Sequence, residues 1–462
     1  MVEIQLAPAS TALPLAPRNP LPYRQQLKSL RDFAVGQLRL HEAGGPVTRA
    51  VLGPRWLIPP LLLVATPQGA HDVLSRRDGV VDRGGVTTMV QLRQLMGGNL
   101  LDLPHDRWLP RRRTLQPMFT KQHVPRYAGH MAAAAQSLTD GWIHGERIDL
   151  DNACRVLTLR ALGRSVLGLD LDERADEIGP ALRTALSWVA DRAVRPVNLP
   201  QWFPTVGQRR ARAANARLHR LAAEILAVVR AEPGRDAPLV QALIEATDPD
   251  TGRRLTDDEI CHELVLFMLA GHDTTSTTLC YSLWTLGRRP DIQARVHDEV
   301  TALGERMLTP DDVPHLDYTV RVLHEALRLC PPAAGMIRVL SEEITVDGYR
   351  AEAGSMASVD IYALHRDPAL WDDPLTFDPD RFTPERSVGR NRWQYLPFGG
   401  GPRSCVGDHF AMLEATLALA TIVREVSMCS LHDEFPVASP FTVVAAGPVP
   451  ARVTRRNASP PG

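Results

Sequence analysis

From Thr256 to about Gly287 the chain reads as one uninterrupted helix whose middle has no water-facing side. Thr256-Asp257-Asp258-Glu259 is a capping box with acid in the first turn, and Gly287 with Pro290 just beyond supplies the stop. About thirty residues at ~1.5 Å each make a rod of roughly 45 Å. Its interior, Leu264-Val265-Leu266-Phe267-Met268-Leu269-Ala270-Gly271, is apolar on every face, so it must be wrapped by other elements in a large core. A chain of 462 residues with 44% hydrophobic content can supply that wrapping.

Length alone suggests about three domains. Between Pro20 and Arg456, however, there is no linker, repeat or low-complexity stretch, so one domain is expected over residues 21–456. Residues 1–20, with four prolines, read as a flexible or extended arm, and 457–462 as a tail. Helical periodicity dominates from Asp102 to Leu329, while β-branched runs occur at Gly45 to Ala65, Val339 to Tyr362 and Val437 to Arg455. The expected fold is therefore mainly α with a minor β region. A net charge of -1 and pI near 7.0 argue against nucleic acid or an anionic membrane as the partner. The apolar run Trp56 to Ala65 is split by Pro59 and Pro60, and the start of the chain lacks a signal-peptide pattern, so no membrane anchor is expected. Six scattered cysteines, without paired or zinc-type spacing, fit a reducing cytosol.

Phe398-Gly399-Gly400-Gly401-Pro402-Arg403-Ser404-Cys405-Val406-Gly407 isolates Cys405 in a glycine-rich loop just before a helical run from Asp408. The free N–H groups and positive dipole end of that helix predict a thiolate, and the glycines predict room for a flat group. A lone thiolate under a planar cofactor is one way of holding haem iron. The spacing F-x-x-G-x-R-x-C-x-G resembles the haem-binding signature of the cytochrome P450 family, which implies Cys405 as axial ligand and Phe398 and Arg403 beside the cofactor.

Three further segments strengthen the resemblance. Ala270-Gly271-His272-Asp273-Thr274-Thr275-Ser276-Thr277-Thr278 breaks the apolar helix with residues that form helix poorly. Thr274 can return its hydroxyl to the carbonyl near Ala270, which predicts a local opening of the helix. The segment resembles the family's A-G-x-[DE]-T motif, implying Asp273 as proton gate and Thr274 as hydroxyl donor. Glu325 and Arg328 resemble its E-x-x-R motif, and Arg381 in Phe377-Asp378-Pro379-Asp380-Arg381-Phe382 would complete a structural Glu–Arg–Arg cluster. Trp108 and Arg112, spaced W-x-x-x-R, together with Arg338 and Arg403, resemble the partners of the haem carboxylates; Pro110 leaves the first of these open among Arg111, Arg112 and Arg113.

The resemblance spans Leu38 to Arg455. It implies a cytochrome P450 fold with haem b between the long helix and the cysteine-loop helix, and the reaction R–H plus dioxygen, two electrons and two protons giving R–OH and water. A separate ferredoxin and its NAD(P)H-dependent reductase are implied as electron source, docking near Arg111 and Arg113. The pocket positions implied are Val86, Met89, Leu92, Leu95, Phe267, Ala270, Ala333, Ala334, Met336, Phe441 and Thr442. That lining predicts a bulky hydrophobic substrate such as a terpenoid, steroid, fatty acyl chain or polyketide, handled by a cytoplasmic monomer. A peroxide-using or rearranging haem-thiolate enzyme is the alternative, and a haem-binding sensor or carrier a third reading.

Overall fold

The computed structural model describes residues 13–456, apart from 57, 172–173, 194, 196–202, 204, 233 and 249; the expected tail and the first twelve residues of the arm lie outside the described residues. The long helix spans Asp257–Leu286, and its capping box forms in both directions between Thr256 and Glu259. Leu264, Val265 and Met268 have no exposure, and each such side chain contributes roughly 1.5–3 kcal/mol on burial. The first half of this helix sits in a cluster with Trp108, Phe119 and Phe410, and its last two turns in a second cluster with Leu150, Leu323 and Leu419. Helices Leu150–Leu162, Val206–Ala231 and Asp408–Glu425 pack along it.

The expected opening near Thr274 does not occur; the helix runs through unbroken. Thr274 donates to the Ala270 carbonyl at 2.7 Å, Thr277 to Asp273 at 2.9 Å and Thr278 to Thr274 at 3.0 Å. Each hydroxyl is satisfied within its own helix, so the backbone ladder need not give way.

The largest sheet runs in the order Val47–Ala50, Leu61–Val64, Met356–Val359, Met336–Leu340, Val81–Asp82. Its edge pairing sets Asp82 against Val339 and Val81 against Leu340, which brings Arg83 beside Arg338. Of the two forms expected for the arm, flexible or extended, residues 13–20 take the extended one. Leu15 bridges Arg350, Arg18 bridges Arg49, and Ala16 and Asn19 are buried, with Asn19 donating to the Leu40 carbonyl at 2.7 Å. Prolines there lie along the sheet's rim, where a missing N–H costs no ladder bond. Among the described residues, no helix is long and apolar enough to cross a membrane.

Candidate active site

Cys405 stands two residues before the N-cap Gly407 of Asp408–Glu425, and its N–H donates to the Phe398 carbonyl at 2.8 Å. The glycines around it serve the protein's own packing: Gly401 has φ +71°, and a Cβ there would lie 1.8 Å from the Leu74 carbonyl oxygen. Burial pushes the Cys405 thiol up, and the Gly407 N–H and the charges of Arg112 and Arg83 only partly oppose it. A bound cation is what ionises such a sulfur.

Cys405 opens on a cavity of about 900 Å³. Phe267, Ala270, Gly271, Thr274 and Thr275 of the long helix line the same cavity, and Met89, Ala334, Met336, Phe398 and Phe441 complete much of the wall. Val86, Ala333 and Thr442 also line it. Leu92 and Leu95 do not; they pack into the core, which corrects that part of the expected lining. Ala333, Ala334 and Gly335 leave less volume than their size suggests, because a Cβ on Gly335 would meet Phe33 at 2.8 Å.

Asp273 is turned away from this cavity. Its Oδ1 lies 2.5 Å from Arg155 Nη1 and 2.9 Å from His272 Nδ1, and Arg155 Nε in turn donates to Asp151 at 2.8 Å. Burial raises the Asp273 pKa, but His272 and Arg155 together outweigh it and hold the carboxyl below its ordinary range. Neither Arg155 nor His272 was legible as a site residue: Asp151 and Arg155, four apart, look like a surface helix pair.

At the end of the cavity nearest Cys405, four guanidinium groups meet one carboxylate. Arg403 Nη2 lies 2.6 Å from Asp82 Oδ1 and donates to the Leu103 carbonyl, and its guanidinium lies 4.4 Å from the centre of the Trp108 ring. Trp108, 2% exposed, thus backs Arg403. Arg112 Nη1 donates to the Ser404 carbonyl at 2.9 Å, and Arg338 is buried beside Arg403. Burial and the Arg403 charge push Arg338 down to about 10. The fourth member, Arg83, was not foreseen; burial and the charges of Arg338 and Arg403 push it down hard. Arg83 Nε and Arg403 Nη1 are buried without a hydrogen-bond partner.

Of the three arginines left open, Arg112 is the one that faces the cysteine loop. Arg111 is buried, 2.5 Å from Glu263 and 3.3 Å from Glu259 on the long helix, so it cannot meet a docking partner; that expectation is corrected. Arg113 is exposed. The remaining cluster forms as a unit. Arg328 grips Glu325 through two bonds of 2.7 Å, Arg381 Nε reaches the same carboxylate at 3.2 Å, and Arg328 also donates to the His365 and Pro374 carbonyls. His365 Nε2 accepts from the Leu396 N–H at 2.9 Å, linking the cluster to the segment leading into the cysteine loop.

The profile of the family described as Cytochrome P450 matches residues 15–454. The chain belongs to the cytochrome P450 family. It is 34% identical to cyclooctatin synthase of Streptomyces melanosporofaciens over 96% of this chain and 94% of that one. It is 31% identical to pentalenene oxygenase of Streptomyces avermitilis over 78% and 80%. The crystal structure of the cytochrome P450DA heme domain superposes with a TM-score of 0.83 at 27% identity, covering 96% and 98% of the two chains. As a cytochrome P450, the protein is a monooxygenase-type oxidoreductase with haem bound through a cysteine thiolate. The site fits that group. Two unpartnered arginine nitrogens in a cluster of four guanidiniums and one carboxylate need anions, and haem carries two carboxylates.

Proposed function

We propose that this cytochrome P450 hydroxylates a bulky hydrophobic substrate of the terpenoid class, with Cys405 as the iron ligand and electrons from a separate ferredoxin and its NAD(P)H-dependent reductase. The observation that carries the reading is one cavity lined by Cys405, the arginine cluster and Thr274 together. Bound haem supplies the oxidising chemistry, in which R–H, dioxygen, two electrons and two protons give R–OH and water. Arg83, Arg112, Arg338 and Arg403 would hold its carboxylates, and Phe398 would pack beside it. Thr274 presents a hydroxyl to the cavity and can turn from the Ala270 carbonyl to donate a proton there. Asp273 hands protons inward by leaving Arg155, to which its charge now binds it.

The apolar wall of Phe267, Ala270, Met336 and Phe441 excludes water once filled, which suits a hydrophobic ring system. Two relatives are named for cyclooctat-9-en-7-ol and pentalenene, which favours terpenoids among hydrophobic classes. The ferredoxin docks on the cysteine side, where Arg113 offers positive charge to an acidic partner. The protein is taken to work as a cytoplasmic monomer.

Titrating the haem-loaded protein with cyclic terpenes, steroids, fatty acids and polyketides tests the substrate class through the spin-state change in the haem spectrum. Terpenes should give the largest response, with oxygen-dependent product when reduced ferredoxin is supplied. A response to small polar compounds alone, or product formed with hydrogen peroxide and not with reduced ferredoxin, would overturn the reading.

A further inference from the structure

A second cavity, of about 260 Å³, shares no lining residue with the first and is walled by Trp371, Asp372, Arg381, Arg386, Arg390 and Gln394. Three guanidiniums there face one carboxylate. The other acids nearby are already engaged: Glu325 by Arg328 and Arg381, Asp378 by Arg386 at 2.7 Å, and Asp380 by Arg295 and Arg321. Arg381 is 4% exposed, with Nε on Glu325 and Nη2 on the Asp373 carbonyl. The Arg390 guanidinium lies 5.0 Å from the centre of the Trp371 ring and 4.8 Å from that of Phe382, and its Nη2 donates to the Arg381 carbonyl. These contacts fix the cations in place without using them up. Among the described residues, Nη1 of Arg381, Nε and Nη1 of Arg390, and Nε and Nη2 of Arg386 have no protein acceptor. Like charges held together, with donors to spare, call for an anion.

We propose that this cavity binds a tetrahedral oxyanion, phosphate or sulfate, free or as the end group of a small ester, through Arg381, Arg386 and Arg390. The guanidinium fork matches the oxygen spacing of such an ion, and several forks converging from different backbone positions favour it over a single-point acceptor. Asp372 is the one group in the wall that opposes binding. The site also acts on its neighbours. Arg328 and Arg381 share the single Glu325 carboxylate, which leaves that buried cluster one positive charge in excess. An oxyanion beside Arg381 balances it. Arg328 donates to the His365 carbonyl and His365 Nε2 accepts from the Leu396 N–H, so bound anion steadies the segment leading into the cysteine loop.

Calorimetric titration of the haem-loaded protein with sodium phosphate, at an ionic strength held constant with chloride, tests the site, since haem then occupies the other arginine cluster. One saturable site per chain is expected, competed by sulfate and not by acetate. Arg386→Gln and Arg390→Gln should each weaken it on the order of tenfold. Asp372→Asn should tighten it severalfold, and Arg174→Gln, in an exposed ion pair with Glu224, should leave it unchanged. Saturating phosphate should slow haem transfer to a scavenging apoprotein severalfold in the wild type and not in Arg390→Gln. Arg390 also packs on Trp371 and Phe382, so if that variant does not fold, the gain in Asp372→Asn decides the matter. Phenyl phosphate separates the two sources: affinity equal to that of inorganic phosphate supports the site with an ester as its ligand, and weaker binding supports it with the free ion. No saturable binding of phosphate, sulfate or phenyl phosphate, or equal affinity in the wild type, Arg386→Gln and Asp372→Asn, overturns the proposal.

Discussion

Arg155 and Asp273 meet at 2.5 Å across the packing of helix Leu150–Leu162 against the long helix. The acid next to Thr274 is thereby anchored on the side away from the cavity. Removing the guanidinium with Arg155→Leu leaves Asp273 buried with His272 as its partner. Such a change costs about 3–5 kcal/mol, to be read by urea unfolding at neutral pH. The Asp273 pKa is depressed in the native state, so the stability it contributes is present above the unfolded pKa and is lost as pH falls through the native one. The difference between wild type and variant should shrink on acidification.

Thr274→Ala removes the hydroxyl that faces the cavity and leaves the apolar wall intact. Product formation should fall on the order of a hundredfold, while the substrate dissociation constant stays within a factor of two or so, since the hydroxyl is one small part of a large apolar contact. Oxygen uptake should continue and appear as peroxide. Thr274→Ser should retain most product formation, and equal loss in both variants would argue against the hydroxyl.

The arginine cluster gives a prediction with opposite signs in two states. Arg83 is repelled by Arg338 and Arg403 and carries an unpartnered nitrogen. In haem-free protein Arg83→Met should raise the melting temperature, because it relieves like charge in a buried place. In the loaded protein the same change should speed transfer of haem to a scavenging apoprotein. A variant that moves both measurements in one direction would contradict the assignment.

Glu325 accepts from two buried arginines, and Arg328 spends its fork on that carboxylate and on loop carbonyls. Glu325→Gln leaves two guanidiniums without their anion, at a cost of about 3–5 kcal/mol. Arg328→Lys cannot reproduce the fork and should behave nearly as badly. Both should show as loss of folded, haem-loaded protein rather than as lower turnover per haem.

Asp102 has no exposure, one unpartnered oxygen, and a pKa raised by burial to about 7. Below the unfolded pKa near 3.8 it is neutral in both states; as pH rises, the unfolded chain ionises first and native stability drops until the native pKa is passed. Asp102→Asn should stabilise the protein by on the order of 2 kcal/mol at pH 8, with the gain vanishing in acid. Melting curves across that range check it.

The parts of this site that could be read in advance carry short-range signals. The capping box at Thr256 and Glu259, the spacing of Glu325 and Arg328, and the glycine loop at Cys405 all act within a few residues of themselves. Arg83 and Arg155 could not be read, because their meaning comes from partners far along the chain, set by the Asp82 to Val339 register and by helix packing. The Cys405 loop was legible because its signal lies within ten residues, from Phe398 to Gly407. The prolines of residues 13–20 left flexible and extended forms both open, and the bridges to Arg49 and Arg350 select the extended one.

The four guanidiniums that await haem belong to Arg83, Arg112, Arg338 and Arg403, which stand on separate stretches of the polypeptide. Porphyrin arriving at this place would act as a clasp, fastening strands, helix and cysteine loop that otherwise push one another apart. Cells that make the polypeptide faster than they make porphyrin should therefore accumulate material loose at that end, so the harvest of sound enzyme would track precursor feeding more closely than promoter strength.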